Sequence, residues 1–373
     1  ELIEDFDALI AGTEQINRDV FTRAQNLKFI SRVGIGLDSV DLNAAKENGV
    51  GVSYTPDAPA PAVAELTIGL MISLARSITK SDNDFSKGTW ERYFGYRLAE
   101  MNIGIIGQGF VGNAIYQRFQ NFYNVKTYDR KAKLSNSTEQ ETLDSDIIFV
   151  CLPTPMNADG SCHTDIVEKA VERINQFGVA KMAVIKSTVP PGTTQRLNDL
   201  YPNLDVVFNP EFLTEINAVE DFNNTTRVVL GGPRKSTTIL KRVYSKVFAG
   251  AYIIKTGSTH AEMVKYVTNS FLATKVSFAN EMHQICEGLD LDYDKVIEYA
   301  TQDKRLGQSH WSVPGPDGDF GYGGHCLPKD VKALIAVAES VDVFPEMLLS
   351  ANAKNADIRT NKDWENMKGR AVI

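Results

Sequence analysis

Apolar residues run along this chain in blocks of strand length separated by blocks of helical periodicity, the signature of a parallel α/β protein. From Asp5 to Ile78 the order is strand DALIAG, a helix, strand KFISRVG, helix VDLNAAKENG, short strand GVSYT and a long apolar helix from Ala62. Between Ser81 and Glu100 the pattern turns polar and aromatic (SDNDFSKGTWERYFGYRLAE), which predicts a linker and a domain boundary near Glu100. Met101 opens a second βα series that runs to about Thr256. From Ser258 there is no Gly or Pro until Gly288, which predicts one long helix. The closing stretch WENMKGRAVI reads as the opening of another strand, and both ends of the chain read as cut.

Composition narrows the class. At 373 residues the chain exceeds one ordinary core, and 43% hydrophobic with 23% charged residues describes soluble globular material. A net charge of −8 opposes binding to nucleic acid or to an anionic membrane. The longest apolar runs, such as LTIGLMISLA from Leu66, are too short to span a bilayer, and no signal-peptide pattern opens the chain. Cys151, Cys162, Cys286 and Cys326 show no framework spacing, which fits a reducing, cytoplasmic compartment. The histidines are scattered without ligand spacing, so no metal is predicted.

Two motifs carry chemistry. In GYGGHCLPKD, Gly321 to Asp330, glycines leave room around the sulfur of Cys326, while Lys329 and the backbone N–H groups of the run are placed to stabilise a thiolate. The alternative is a packed, inert cysteine. In MNIGIIGQGFVG an apolar strand enters Gly107-x-Gly109-x-x-Gly112 and then a helix, and Asp129 ends the next strand, where an acid accepts from ribose hydroxyls. This predicts NAD as cofactor, with Arg130 and Lys131 leaving room for a 2′-phosphate. A bound nicotinamide and a reactive thiol together allow alcohol to be oxidised through aldehyde and thioester to acid. Lys265 and Asn269, at i and i+4, share a helix face, either as a cation and amide for an oxyanion or as a solvated face. Glu211 and Glu215 are site candidates or surface carboxylates, and Thr188 follows an apolar strand at the edge where ligands bind in open α/β sheets.

From Met101 to about Asp357 the sequence resembles the UDP-glucose/GDP-mannose dehydrogenase family, through GIIGQGFVG, DIIFVCLPTP, KSTVPPGTT, FNPEFLTE, AEMVKYVTNSFLATKVSFANE and GYGGHCLPKD. The resemblance implies four-electron oxidation of a nucleotide sugar, with Cys326 as thioester-forming nucleophile, Asp330 in acid/base steps, and Lys265 with Asn269 on the oxyanion. It implies that Glu211 and Thr188 orient water, and that Phe110, Val111, Thr154, Thr188, Glu215 and Lys329 join the glycines and Asp129 around NAD. It implies substrate contacts from Glu211, Phe212, Leu213, Lys265, Asn269, Gly323 and the loop Gly315, Pro316, Asp317, Gly318, Asp319, and a homodimer through the long helix. Thr214 stands where many members carry Arg, which puts that charge in doubt.

Residues 5–95 resemble instead the D-2-hydroxyacid dehydrogenases, in the 3-phosphoglycerate dehydrogenase branch, through LKFISRVGIGLDSVDLNAAKENGVGV and APAVAELTIGLMISLAR. No counterpart of that family's catalytic triad follows. The expected organisation is a partial flavodoxin-like α/β segment (1–100), a Rossmann-type doubly wound parallel sheet binding NAD (101–256), a helical central and dimerisation domain with the cysteine loop (257–359), and the first strand of a truncated nucleotide-sugar domain (360–373). Two rival functions are a D-2-hydroxyacid dehydrogenase with a single hydride transfer and a catalytically silent assembly module.

Overall fold

The computed structural model describes residues 3–56, 60–90, 93, 101–214 and 217–373. It divides into one compact unit over Glu1–Ala99 and a second over Glu100–Ile373.

In the first unit β1 (Ala8–Ala11), β2 (Phe29–Arg32) and β3 (Gly51–Tyr54) form a parallel sheet in the order β1-β2-β3. The strands succeed one another across the sheet, so the strand reversal of a flavodoxin-like order does not occur among the described strands. Side chains alternate as strand geometry requires: Ala11 and Ile30 are buried, whereas their neighbours Ile10 and Phe29 are exposed. Two short helices, Arg18–Arg23 capped by the Asn17 side chain and Leu42–Glu47 capped by Asp41, close the buried face with Phe21, Ala44 and Ala45. The apolar helix spans Ala60–Ala75, and a further helix, Ile78–Ser86, occupies the start of the stretch that the sequence marks as linker. Polar residues there do not break a helix. The break comes at Gly88, whose positive φ ends it.

In the second unit β4 (Asn102–Ile106), β5 (Asn124–Tyr128), β6 (Ile147–Val150), β7 (Met182–Ile185), β8 (Asp205–Phe208), β9 (Arg227–Gly231) and β10 (Tyr252–Thr256) form one sheet, ordered β10-β9-β8-β7-β6-β4-β5. The strands β4 to β8 are parallel, β9 meets β8 antiparallel, and β10 runs parallel to β9. All residues of β6 (IIFV) and β7 (MAVI) are buried, as parallel strands covered on both faces require. One face carries Phe119, Phe149, Val184 and Tyr244, and the other Ile148, Val150, Val171 and Ile185. Because β5 and β6 flank β4 on opposite sides, the chain reverses its winding at the carboxyl ends of β4 and β6, where open α/β sheets form a ligand crevice.

The long helix runs from Ser258 to Gly288, 31 residues, and the helices Leu327–Ser340 and Glu346–Ile358 pack along it. The expected closing strand is present only as isolated pairing. After a 3-10 turn at Asp363–Asn366, Val372 bridges Met156, with Met156 N donating to Ala371 O at 2.8 Å and Ile373 N to Met156 O at 3.2 Å. Met156 supplies the partner backbone for this short contact, and the bridge extends no further among the described residues.

Candidate active site

The glycine loop follows β4 as the spacing requires. Gly107 has φ +94°, and a Cβ there would press on the Cys151 carbonyl, while one at Gly112 would collide with the Gly107 carbonyl. Gly109 is different. Nothing lies within 4 Å of where its Cβ would be, so its face is open to the cleft. Asp129 Oδ2 accepts from Gln108 N at 2.8 Å and Oδ1 from Lys131 N at 2.8 Å, which fixes the carboxylate at the tip of β5. The buried Gln108 side-chain amide nitrogen has no partner among the described residues. Gly107, Gly109 and Asp129, together with Phe110, Val111 and Thr154, line a cleft of about 510 Å³. An open glycine face, a helix N-terminus and a fixed ribose-type acid fit a dinucleotide.

Cys326 lines the same cleft, as do Thr188, Glu211 and Lys329. It is the residue before the helix Leu327–Ser340, which begins with Pro328 in its first turn. Its chemistry differs from the sequence expectation. Burial first, and then the neighbouring Asp330 charge, push the thiol up to about 12, against a smaller opposing effect of Lys329. Three of the run's backbone N–H groups are occupied: Gly321 N donates to Asn280 Oδ1, Tyr322 N to Asn355 Oδ1 and Gly324 N to the Asp363 carboxylate. Lys329 Nζ is paired with Asp330, whose charge raises the ammonium against the lowering effect of burial. The resting sulfur is therefore held as a thiol rather than a thiolate.

Around it lies a buried charged cluster. Lys265 and Asn269 are not a solvated helix face: they are 3% and 7% exposed. Lys265 Nζ donates to Glu211 O at 2.7 Å and approaches Glu211 Oε1 at 3.3 Å, and Asn269 Nδ2 donates to Asp330 Oδ2 at 2.6 Å. Glu211 is likewise buried, its Oε2 accepting from Leu213 N at 2.7 Å. Thr154 Oγ1 donates to Thr188 O at 2.8 Å, tying the loops after β6 and β7 together.

Other predicted residues lie apart from this cleft. Phe212 and Leu213 line, with Glu211, a neighbouring cavity of about 540 Å³. Thr214 donates through N and Oγ1 to Asp221. The loop from Gly315 through Pro316 to Asp319 closes on itself, Gly315 N donating to Asp319 O and Gly318 N to Gly315 O, and Asp317 and Asp319 face Arg359. Gly323 also abuts Arg359. Glu215 lies outside the described residues. Sequence reasoning assigned no role to Lys186, which directly follows β7, lines both cavities and donates to Asn209 Oδ1 at 3.1 Å. Burial lowers its ammonium to about 8. The signal was a lysine set directly after an unbroken apolar strand, at the carboxyl edge.

The NAD binding domain of the UDP-glucose/GDP-mannose dehydrogenase family matches residues 119–248, and that family's central domain matches residues 259–357. The UDP-glucose 6-dehydrogenase of Rickettsia bellii is 31% identical over 307 residues, spanning 80% of this chain and 64% of that protein. UDP-glucose 6-dehydrogenase YwqF of Bacillus subtilis is 35% identical over 233 residues, 60% of this chain and 51% of that protein. The chain thus spans about half to about two thirds of the length of the curated relatives it matches. Among solved structures, a UDP-glucose dehydrogenase from the archaeon Pyrobaculum islandicum superposes with TM-score 0.64 at 27% identity, covering 71% of this chain and 70% of that one. Fold, glycine loop and matched domains agree, and the chain carries the NAD-binding and central domains of the UDP-glucose/GDP-mannose dehydrogenase family.

Proposed function

We propose that the protein oxidises the C6 alcohol of a nucleotide sugar, UDP-glucose in the first instance, to the carboxylate at the expense of two NAD. The observation that carries this reading is Cys326 lining the same cleft as the glycine loop and Glu211, with buried Asp330 and Lys265 close enough to act on its charge and Asn269 bonded to Asp330. NAD supplies the hydride acceptor for both oxidations. In the first, the alcohol loses a hydride and a proton to become an aldehyde. The Cys326 sulfur then bonds to the aldehyde carbon, its proton leaving as the carbonyl oxygen gains negative charge. Lys265 and Asn269 supply a cation and an amide to that oxygen. Loss of the second hydride leaves a thioester, and water, oriented by Glu211 and Thr188, releases the acid and restores the thiol. Asp330, paired with Lys329 and Asn269, takes part in the proton transfers.

The remaining assignments follow from this reading. Glu215 and Lys329 complete the NAD contacts, and the Gly315–Asp319 loop with Gly323 grips the substrate. A homodimer through the long helix is supported by its exposed apolar stripe of Val267, Phe271, Phe278 and Ile285. The four free cysteines favour a cytoplasmic location. No single helix among the described residues is long and apolar enough to cross a membrane. Stoichiometry tests the proposal: UDP-glucose should reduce two NAD per molecule consumed, and one or none contradicts it.

A further inference from the structure

Besides Asn280 and Asn355, an arginine outside the cleft ties the loop bearing Cys326 to the loop before it. Arg359, the residue after the helix Glu346–Ile358, has a side chain 2% exposed. Its Nη2 binds Asp317 Oδ2 at 2.6 Å and Asp363 Oδ1 at 3.4 Å, its Nε donates to Asn361 O at 2.9 Å, and its Nη1 donates to Phe320 O at 3.4 Å. Asp319 lies 3.7 Å from Nε and accepts from Asn361 N at 2.8 Å and Thr360 Oγ1 at 3.0 Å. Asp363 in turn accepts from Gly324 N at 3.0 Å, two residues before Cys326. Gly323 has no side chain because a Cβ there would occupy the guanidinium. Both loop acids are held ionised: Asp319 chiefly by the Asn361 N–H, and Asp317, against burial, by the Arg359 hydrogen bond.

We infer that Arg359 is a positioning residue that latches the loop 315–319 to the segment 321–326, so that gripping the nucleotide sugar and placing the Cys326 sulfur become one event. The planar fork is what allows this. Its donors point in fixed, divergent directions and reach two carboxylates and two carbonyls at once, which a lysine ammonium cannot do from one position. When the 315–319 loop moves onto a ligand, Asp317 carries Arg359, Arg359 carries Asp363, and Asp363 carries the Gly324 amide. The inference rests on the proposed role of Cys326 and on that loop as a substrate contact.

Alkylation tests it without turnover. The whole chain, Arg359→Met and Asp363→Ala are treated with iodoacetamide while UDP-glucose is titrated, Cys326 is followed by peptide mapping, and NAD affinity is measured separately. In the wild type UDP-glucose protects Cys326. In both variants the UDP-glucose concentration for half-protection rises about tenfold or more, with NAD affinity unchanged. A merely structural arginine lowers thermal stability and leaves protection of the folded protein as it was, and that result overturns the latch. Should Arg359→Met fail to fold, Asp363→Ala decides by the same criterion. If UDP-glucose gives no protection in the wild type although NAD binds, the substrate reading itself fails and the latch with it.

Discussion

The two units use the same parallel α/β grammar and differ in what their apolar residues meet. In β6 and β7 every residue is buried and helices cover both faces of the sheet. In β1 to β3 one face packs on the short helices, while Ile10, Phe29 and Tyr54 stand exposed on or beside the other. The helix Ala60–Ala75 is apolar nearly all round, yet Leu66 is 63% and Leu74 73% exposed. The carboxyl edges differ as well. After β4, β6, β7 and β8 they carry the glycine loop, Thr154, Thr188 and Glu211 around a cleft, whereas after β2 the Gly34 amide simply donates to Thr55 Oγ1 at 2.8 Å. A strand's hydrophobicity announces that it will be covered, and the residue types at its carboxyl end announce whether it will work.

That contrast predicts effects of descending size. Cys326→Ala should abolish acid formation with NAD binding retained, as measured by product analysis. Because burial pushes the thiol up to about 12 from an ordinary 9, its alkylation at neutral pH should run roughly 10–10²-fold slower than that of a free thiol, the smaller thiolate fraction being partly offset by the greater nucleophilicity of a more basic thiolate. The thiolate is the minor form throughout this range, so the rate should climb with each pH unit toward 12 and show no plateau near neutrality. Lys265→Ala should lower turnover by about 10²–10³, and an unchanged rate would return that lysine to a packing role. Core truncation should separate the units: Ile148→Ala, fully buried, should cost about 2–5 kcal/mol in denaturant unfolding. Leu66→Ala should stay within about 0.5 kcal/mol. A large loss at Leu66 would mean that this helix is covered in the assembled protein and that the contrast between the units is false.

The parts readable from sequence were those specified by neighbours in the chain. The glycine spacing, Asp129 after its strand, the unbroken helix to Gly288 and the glycine-set Cys326 are all local patterns. The network that surrounds the sulfur is not. Glu211 and Lys265 are separated by 54 residues, Asn269 and Asp330 by 61, and Arg359 and Asp317 by 42. Burial of Lys265 follows from the packing of its helix against the rest of the second unit, which a charged residue in a helical pattern does not reveal. The state of the thiol is hidden from the sequence for the same reason. Glycines and a nearby lysine suggest a stabilised thiolate, but Asn280, Asn355 and Asp363 come from elsewhere in the chain and claim three of the amide donors, while Asp330 of the motif itself claims the lysine.

The most direct test of the account is to catch the sugar on the sulfur. A Glu211→Gln variant, deprived of the carboxylate proposed to orient water, should reduce NAD with UDP-glucose and then stall, and peptide mapping should find a sugar-derived acyl group on Cys326 and on none of the other three cysteines. NAD reduction with Cys326 left unmodified, or acylation of a different residue, would contradict it.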